Sequence, residues 1–145
     1  MLWQLILTAL VAVAVSGCVK RNSLVIPPAT MAVLPSPLNR QDGDAFVMRE
    51  PRDLVARVKF LSVHRWGLSI TAHAEPAADG TWPKLRIELD GTPARTVTVE
   101  NGVAIPYWFN FVTEPGFADL KLSLLNGRAG GGPSVVIERL DIVPL

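Results

Sequence analysis

From about residue 54 onward, apolar and polar residues alternate with a period of two, in runs closed by glycine and proline. Side chains of an extended strand fall on its two faces at that period, so each run predicts a half-buried β-strand. The first runs are Leu54 to Ser62 and Trp66 to Ala74. Lys84 to Asp90 places Leu85, Ile87 and Leu89 on one face and Lys84, Arg86 and Glu88 on the other. Asp90-Gly91 behind it supplies a turn that tolerates positive φ. Arg95 to Glu100 turns Val97 and Val99 inward, and Ala104 to Val112 separates Ile105, Tyr107, Phe109 and Phe111 from Pro106, Trp108 and Asn110. Pro106 has no N–H to give to a ladder, which predicts a place away from the middle of a sheet. Glu114-Pro115-Gly116 turns the chain, Asp119 to Leu125 alternates again, and Ser134 to Val143 follows a loop at Gly127 to Gly132.

No long segment after residue 44 has helical periodicity. About seven or eight short strands at this spacing predict an all-β fold, an antiparallel β-sandwich of jelly-roll type. Its core takes Leu85, Ile87, Leu89, Phe109, Phe111, Leu120, Leu122 and Leu124, with Trp66 among them, while Lys84, Arg86, Glu88, Lys121 and Ser123 are expected on solvent faces. Residues 45–145 are enough for one such core without staples. Ahead of them, residues 19–44 carry Pro27, Pro28, Pro35 and Pro37 among small and polar residues and read as a semi-extended tether. Residues 1–18 hold an apolar run with no lysine or arginine.

That run ends on Cys18, the single cysteine of the chain. With no second cysteine, an internal disulfide and a cysteine metal site both lapse. Val15-Ser16-Gly17-Cys18 resembles the lipobox of bacterial lipoproteins, an aliphatic residue and two small ones before the cysteine. The resemblance implies cleavage ahead of Cys18 and a covalent diacylglycerol and fatty acid on it, with no other cofactor. Val19, rather than an aspartate behind the cysteine, implies an outer-membrane address in the bacterial envelope. The rival is an uncleaved anchor, for which Lys20 and Arg21 behind the run would set the orientation. Leu2 to Val19 is at the short end of the roughly 17–25 residues that span a bilayer, and its last residues are small.

The formal net charge is +1, from 14 lysines and arginines against 13 acids. This excludes the basic stripe of a nucleic-acid binder and electrostatic docking to a membrane. His64 and His73 have no metal-ligand spacing, no nucleophile elbow surrounds a serine, and Gly130-Gly131-Gly132 precedes a strand rather than a helix. A small domain with few acids is read as a non-enzyme; a hydrolase would need two convergent carboxylates.

The order Ile70-Thr71-Ala72-His73-Ala74, a short loop, Trp82-Pro83-Lys84 to Asp90-Gly91, then Pro115-Gly116 and a leucine-rich strand ending in Asn126 resembles the calcium-dependent xylan-binding modules. The resemblance implies a jelly-roll carbohydrate-binding module. It departs where that family builds its calcium site: Asn126 is followed by Gly127 rather than an aspartate, and the later acidic motif falls on Gly132 to Glu138. Calcium takes six to eight oxygens, so no metal is expected here. A sugar ring presents an apolar C–H face to an indole while its hydroxyls seek amides and carboxylates. The candidate ligand-binding residues are therefore Trp82 with Asp79, Trp108 with Tyr107, and Asn126. The expected function is a lipid-anchored, non-catalytic envelope module that holds polysaccharide or another envelope component. The alternative is an accessory lipoprotein of a secretion or envelope complex, docking a protein partner by a loop or an open sheet edge.

Overall fold

The alternating runs become strands close to their expected bounds, because burying the apolar face of each run is possible only if the runs lie side by side and are covered by a second layer. The computed structural model describes residues 10–13, 24–26, 32–34, 40–42, 45–51, 53–60, 63–128 and 130–145; Cys18, with its expected acyl chains, lies outside them. The strands are β1 (Leu10–Val13), β2 (Leu24–Ile26), β3 (Ala32–Leu34), β4 (Arg40–Asp42), β5 (Ala45–Met48), β6 (Asp53–Phe60), β7 (His64–Glu75), β8 (Lys84–Leu89), β9 (Thr92–Thr98), β10 (Ile105–Thr113), β11 (Gly116–Leu124) and β12 (Ser134–Pro144). They form two six-stranded sheets. The first runs β1-β6-β11-β8-β9 with β3 also on β6, and the second runs β10-β7-β12-β5-β4 with β2 also on β12. The fold is an all-β sandwich, antiparallel throughout the described residues except for β1, which lies parallel to β6.

Between the sheets, Leu54, Val58, Leu85, Ile87, Leu120 and Leu122 of the first face Leu68, Ile70, Val135, Ile137, Leu140 and Ile142 of the second, all buried. Each such side chain contributes about 1.5–3 kcal/mol over its exposed state. Trp66 is fully buried, its ring centroid 5.1 Å from that of Phe60, which also meets the edge of Phe111 at 6.1 Å. Rings from β6, β7 and β10 thus join the two layers.

The turns follow from local chemistry. Asp90 and Gly91 both have positive φ, 50° and 75°, between the paired residues Leu89 and Thr92. That is the two-residue hairpin favoured by Asp-Gly. Glu114-Pro115 instead carries the chain from β10 in one sheet to β11 in the other. Pro106 sits on β10, the edge strand of its sheet. Residues 63, 90–91 and 114–115 lie at one end of the sandwich with Leu145, hereafter the turn end. Residues 49–51, 76–83, 99–104, 125–128 and 130–133 lie at the other, the loop end.

Two findings differ from the alternation pattern. Glu88 and Ser123 do point outward from the first sheet, yet they are only 5% and 4% exposed. Lys121 and Arg86 reach over the Glu88 carboxylate at 2.5 and 3.0 Å, and the Ser123 hydroxyl donates to Asp53 at 2.5 Å. Cross-strand pairing hides side chains that the period alone leaves in solvent. Further, the stretch read as a tether supplies β2, β3 and β4, with Ile26 fully buried opposite Leu140. Prolines directly behind Ile26 and Leu34 cut the apolar residues into pieces too short to show a period. Leu10–Val13, inside the expected signal segment, pairs with Arg57–Phe60.

Candidate functional site

The loop end gathers three of the residues singled out by sequence. Asp79 sits in a tight loop in which Thr81 N–H donates to its carboxylate at 3.0 Å, Ala77 N–H donates to the Thr81 carbonyl at 2.8 Å and Gly80 N–H to the Ala77 carbonyl at 2.9 Å. The Thr81 hydrogen bonds, followed by the Arg128 cation 3.4 Å away, hold the Asp79 carboxyl below the usual aspartate range. Asn126 closes the same end. Its amide donates to the Trp82 carbonyl at 2.9 Å and its oxygen accepts from Lys84 N–H at 2.8 Å, while Leu125 N–H donates to the Lys84 carbonyl at 2.9 Å. Trp82 is half-buried and packs against the core.

Backbone packing tightens this end further. A Cβ on Gly127 would lie 2.6 Å from a backbone carbon of Glu50, and one on Gly132 would lie 2.5 Å from the Arg128 nitrogen. These two glycines let the 125–133 connection lie directly on neighbouring backbone. Asp79 faces a guanidinium and Asn126 Oδ1 already accepts a backbone hydrogen bond, so these residues do not fit an oxygen shell for calcium. Among the described residues no group of three or more His, Cys, Asp or Glu is placed to hold a metal ion.

Trp108 lies elsewhere, on the outer face of the second sheet. It is 54% exposed. Its register runs across the sheet through Ser69 on β7 and Asp141 on β12 to Val25 on β2. The row on one side is Pro106, Thr71 and Arg139, and on the other Asn110, Gly67 and Val143. Ser69 is buried in this floor, and the Val143 and Leu145 side chains lie beside Gly67. Arg139 grips Asp141 through Nε to Oδ2 and Nη2 to Oδ1, both at 2.8 Å. That two-point contact, and then the carboxylate charge, raise the Arg139 pKa, so the guanidinium stays charged on the floor. His73 and Glu138 make a second contact on this face, at 2.7 Å between Nδ1 and Oε1.

Tyr107 does not join Trp108, because consecutive strand residues face opposite ways. It lies half-buried between the sheets, where burial, followed by the Glu100 charge, pushes its hydroxyl pKa up. Sequence reasoning missed Arg95, whose Nη1 donates to the Trp108 carbonyl at 3.4 Å and whose guanidinium lies 5.6 Å from the Phe109 ring centre. Arg95 belongs to β9 of the opposite sheet and ties the edge strand β10 in place. No local pattern could have shown that contact. The Arg139–Asp141 pair was legible, since residues two apart on a strand share a face.

No protein-family model matches the sequence, and no curated protein matches it. Solved structures do match in fold. The C-terminal family 6 carbohydrate-binding module of a laminarinase from Zobellia galactanivorans superposes with a TM-score of 0.64 at 13% identity, over 84% of this chain and 99% of that one. A family 36 module of a multidomain xylanase from the hindgut metagenome of Trinervitermes trinervoides gives 0.62 at 10%, over 83% and 96%. A family 36 module in complex with calcium and xylotriose gives 0.60 at 10%, over 82% and 98%. The sandwich is the jelly roll of these carbohydrate-binding modules, as the resemblance in sequence implied.

Proposed function

We propose that this chain is a non-catalytic module that holds polysaccharide on the outer face of the β10-β7-β12 sheet, and that a lipid on Cys18 keeps it at the bacterial outer membrane. The fold shared with carbohydrate-binding modules supports the class, and the lipobox-like tetrapeptide supports the anchor. The observation that carries the site is the exposed Trp108 indole on the same sheet face as Thr71 and the exposed Asn110. A pyranose stacks its C–H face on the indole, and its hydroxyls reach the exposed Asn110 amide and the Thr71 hydroxyl. No bond is made or broken, so no group has to act as acid, base or nucleophile.

Affinity electrophoresis and calorimetry against xylan, mannan and β-glucan oligosaccharides test this. The wild-type chain is expected to bind at least one of them, and Trp108→Ala to weaken that binding at least tenfold, about 1.4 kcal/mol. Unchanged binding by Trp108→Ala moves the site off this face. Binding to no glycan, with a protein partner co-purifying instead, ends the carbohydrate reading.

A further inference from the structure

Chain reach and topology say which end of the sandwich faces the bilayer. Leu24 pairs with Ile142 and Ile26 with Leu140, so β2 runs away from the turn end, and the chain preceding Leu24 comes from that end. Six peptide steps separate Leu24 from Cys18. At 3.3–3.6 Å per residue they span at most about 20 Å. A lipid on Cys18 therefore holds this end, and not the loop end, against the membrane.

The surface there suits the neighbour. Val63, Val112, Phe117 and Leu145 are large apolar side chains left exposed at the turn end. Beside Val112 and Phe117 opens a cavity of about 460 Å³, walled also by Leu89 and Phe111. Exposed apolar groups grouped in this way mark an interaction surface. Its charges cancel: Arg57, Lys59 and Arg65 are matched by Asp90, Glu114 and Asp119. Arg57 and Lys59 moreover lie over the Phe117 ring at 5.1 and 5.5 Å. Contact with the bilayer is thus apolar, and does not call for anionic lipid.

We infer that the turn end, with Val63, Val112, Phe117 and Leu145, rests on the lipid surface, while the loop end points away and the Trp108 face stands as a side wall. This rests on the anchor proposed above. β10 provides the ruler. Val112 at the turn end and Val103 ahead of the strand at the loop end are 63% and 70% exposed. The chain between them is roughly 30 Å long at the rise of a strand.

The test uses the acylated full chain in phosphatidylcholine vesicles, with Val112→Cys or Val103→Cys carrying a fluorophore and doxyl lipids as quencher. Mass spectrometry of Cys18 is read first. Quenching several-fold stronger at 112 than at 103, unchanged when phosphatidylglycerol is added, is the expected result. An acylated Cys18 with equal quenching at both positions, or stronger quenching at 103, overturns the orientation and leaves the anchor standing. An unmodified Cys18 overturns the anchor, and the orientation with it.

Discussion

The loop end and the Trp108 face each carry a tryptophan, an amide and an acid paired with an arginine, yet only on the Trp108 face are the indole and the amide exposed. At the loop end, both polar atoms of the Asn126 amide are bonded to the backbone around Trp82, and Asp79 is bonded to Thr81 and Arg128. On the β10-β7-β12 face the indole is in solvent and the Asn110 side chain is exposed beside it. The difference teaches that residue type nominates a site and hydrogen-bond accounting decides it. A group already satisfied by its own backbone has little to offer a ligand.

The comparison breaks most readily at Asn126. Asn126→Ala leaves the Trp82 carbonyl and Lys84 N–H without their partner, which is expected to cost about 2–3 kcal/mol in chemical denaturation while leaving glycan affinity within twofold. A loss of affinity at retained stability would falsify the division between the two regions. Trp108→Ala should show the reverse, its tenfold loss of affinity accompanied by a stability change within about 0.5 kcal/mol, as for other exposed positions.

Two smaller effects concern pH. Tyr107 has a raised pKa, so its contribution is present below the usual tyrosine value of about 10 and is lost as pH rises through the higher folded value. Urea midpoints taken between about pH 9 and 11, one unit either side of that value, should fall more steeply for the wild-type chain than for Tyr107→Phe; parallel slopes would place the hydroxyl in solvent. The Asp79 pKa is lowered, so its hold on Thr81 is complete above the ordinary aspartate value of about 3.9 and disappears as pH falls through the lower folded one. The Thr81 amide resonance should titrate with a midpoint below that ordinary value, and Asp79→Asn should abolish the titration. A midpoint at or above it would mean that the carboxylate is unpaired.

Sequence reading reached those features whose cause is local. The alternation in Lys84 to Leu89 and the Asp90-Gly91 turn need only neighbouring residues, and both stand as expected. Pro106 marks an edge strand for the same reason. What stayed hidden depends on residues far apart in the chain. Asn126 is read from sequence as a ligand-binding candidate, whereas its partners lie 42 and 44 residues away. Arg95 crosses between sheets, and Glu88 is covered by Lys121 from the next strand. The short strands β2, β3 and β4 escape for a different reason: three residues cannot establish a period.

Pro106 has one more consequence. Under the proposed anchor, copies are crowded in two dimensions, where open sheet edges meet repeatedly and neighbours are prone to zipper together. The strand that carries Trp108 is such an edge, and Pro106 removes one amide from it while Arg95 occupies the rim next to Trp108. Edge strands with a proline and a flanking cation resist strand-to-strand self-association. The same strand can therefore display an indole to a polymer without offering its backbone to a twin.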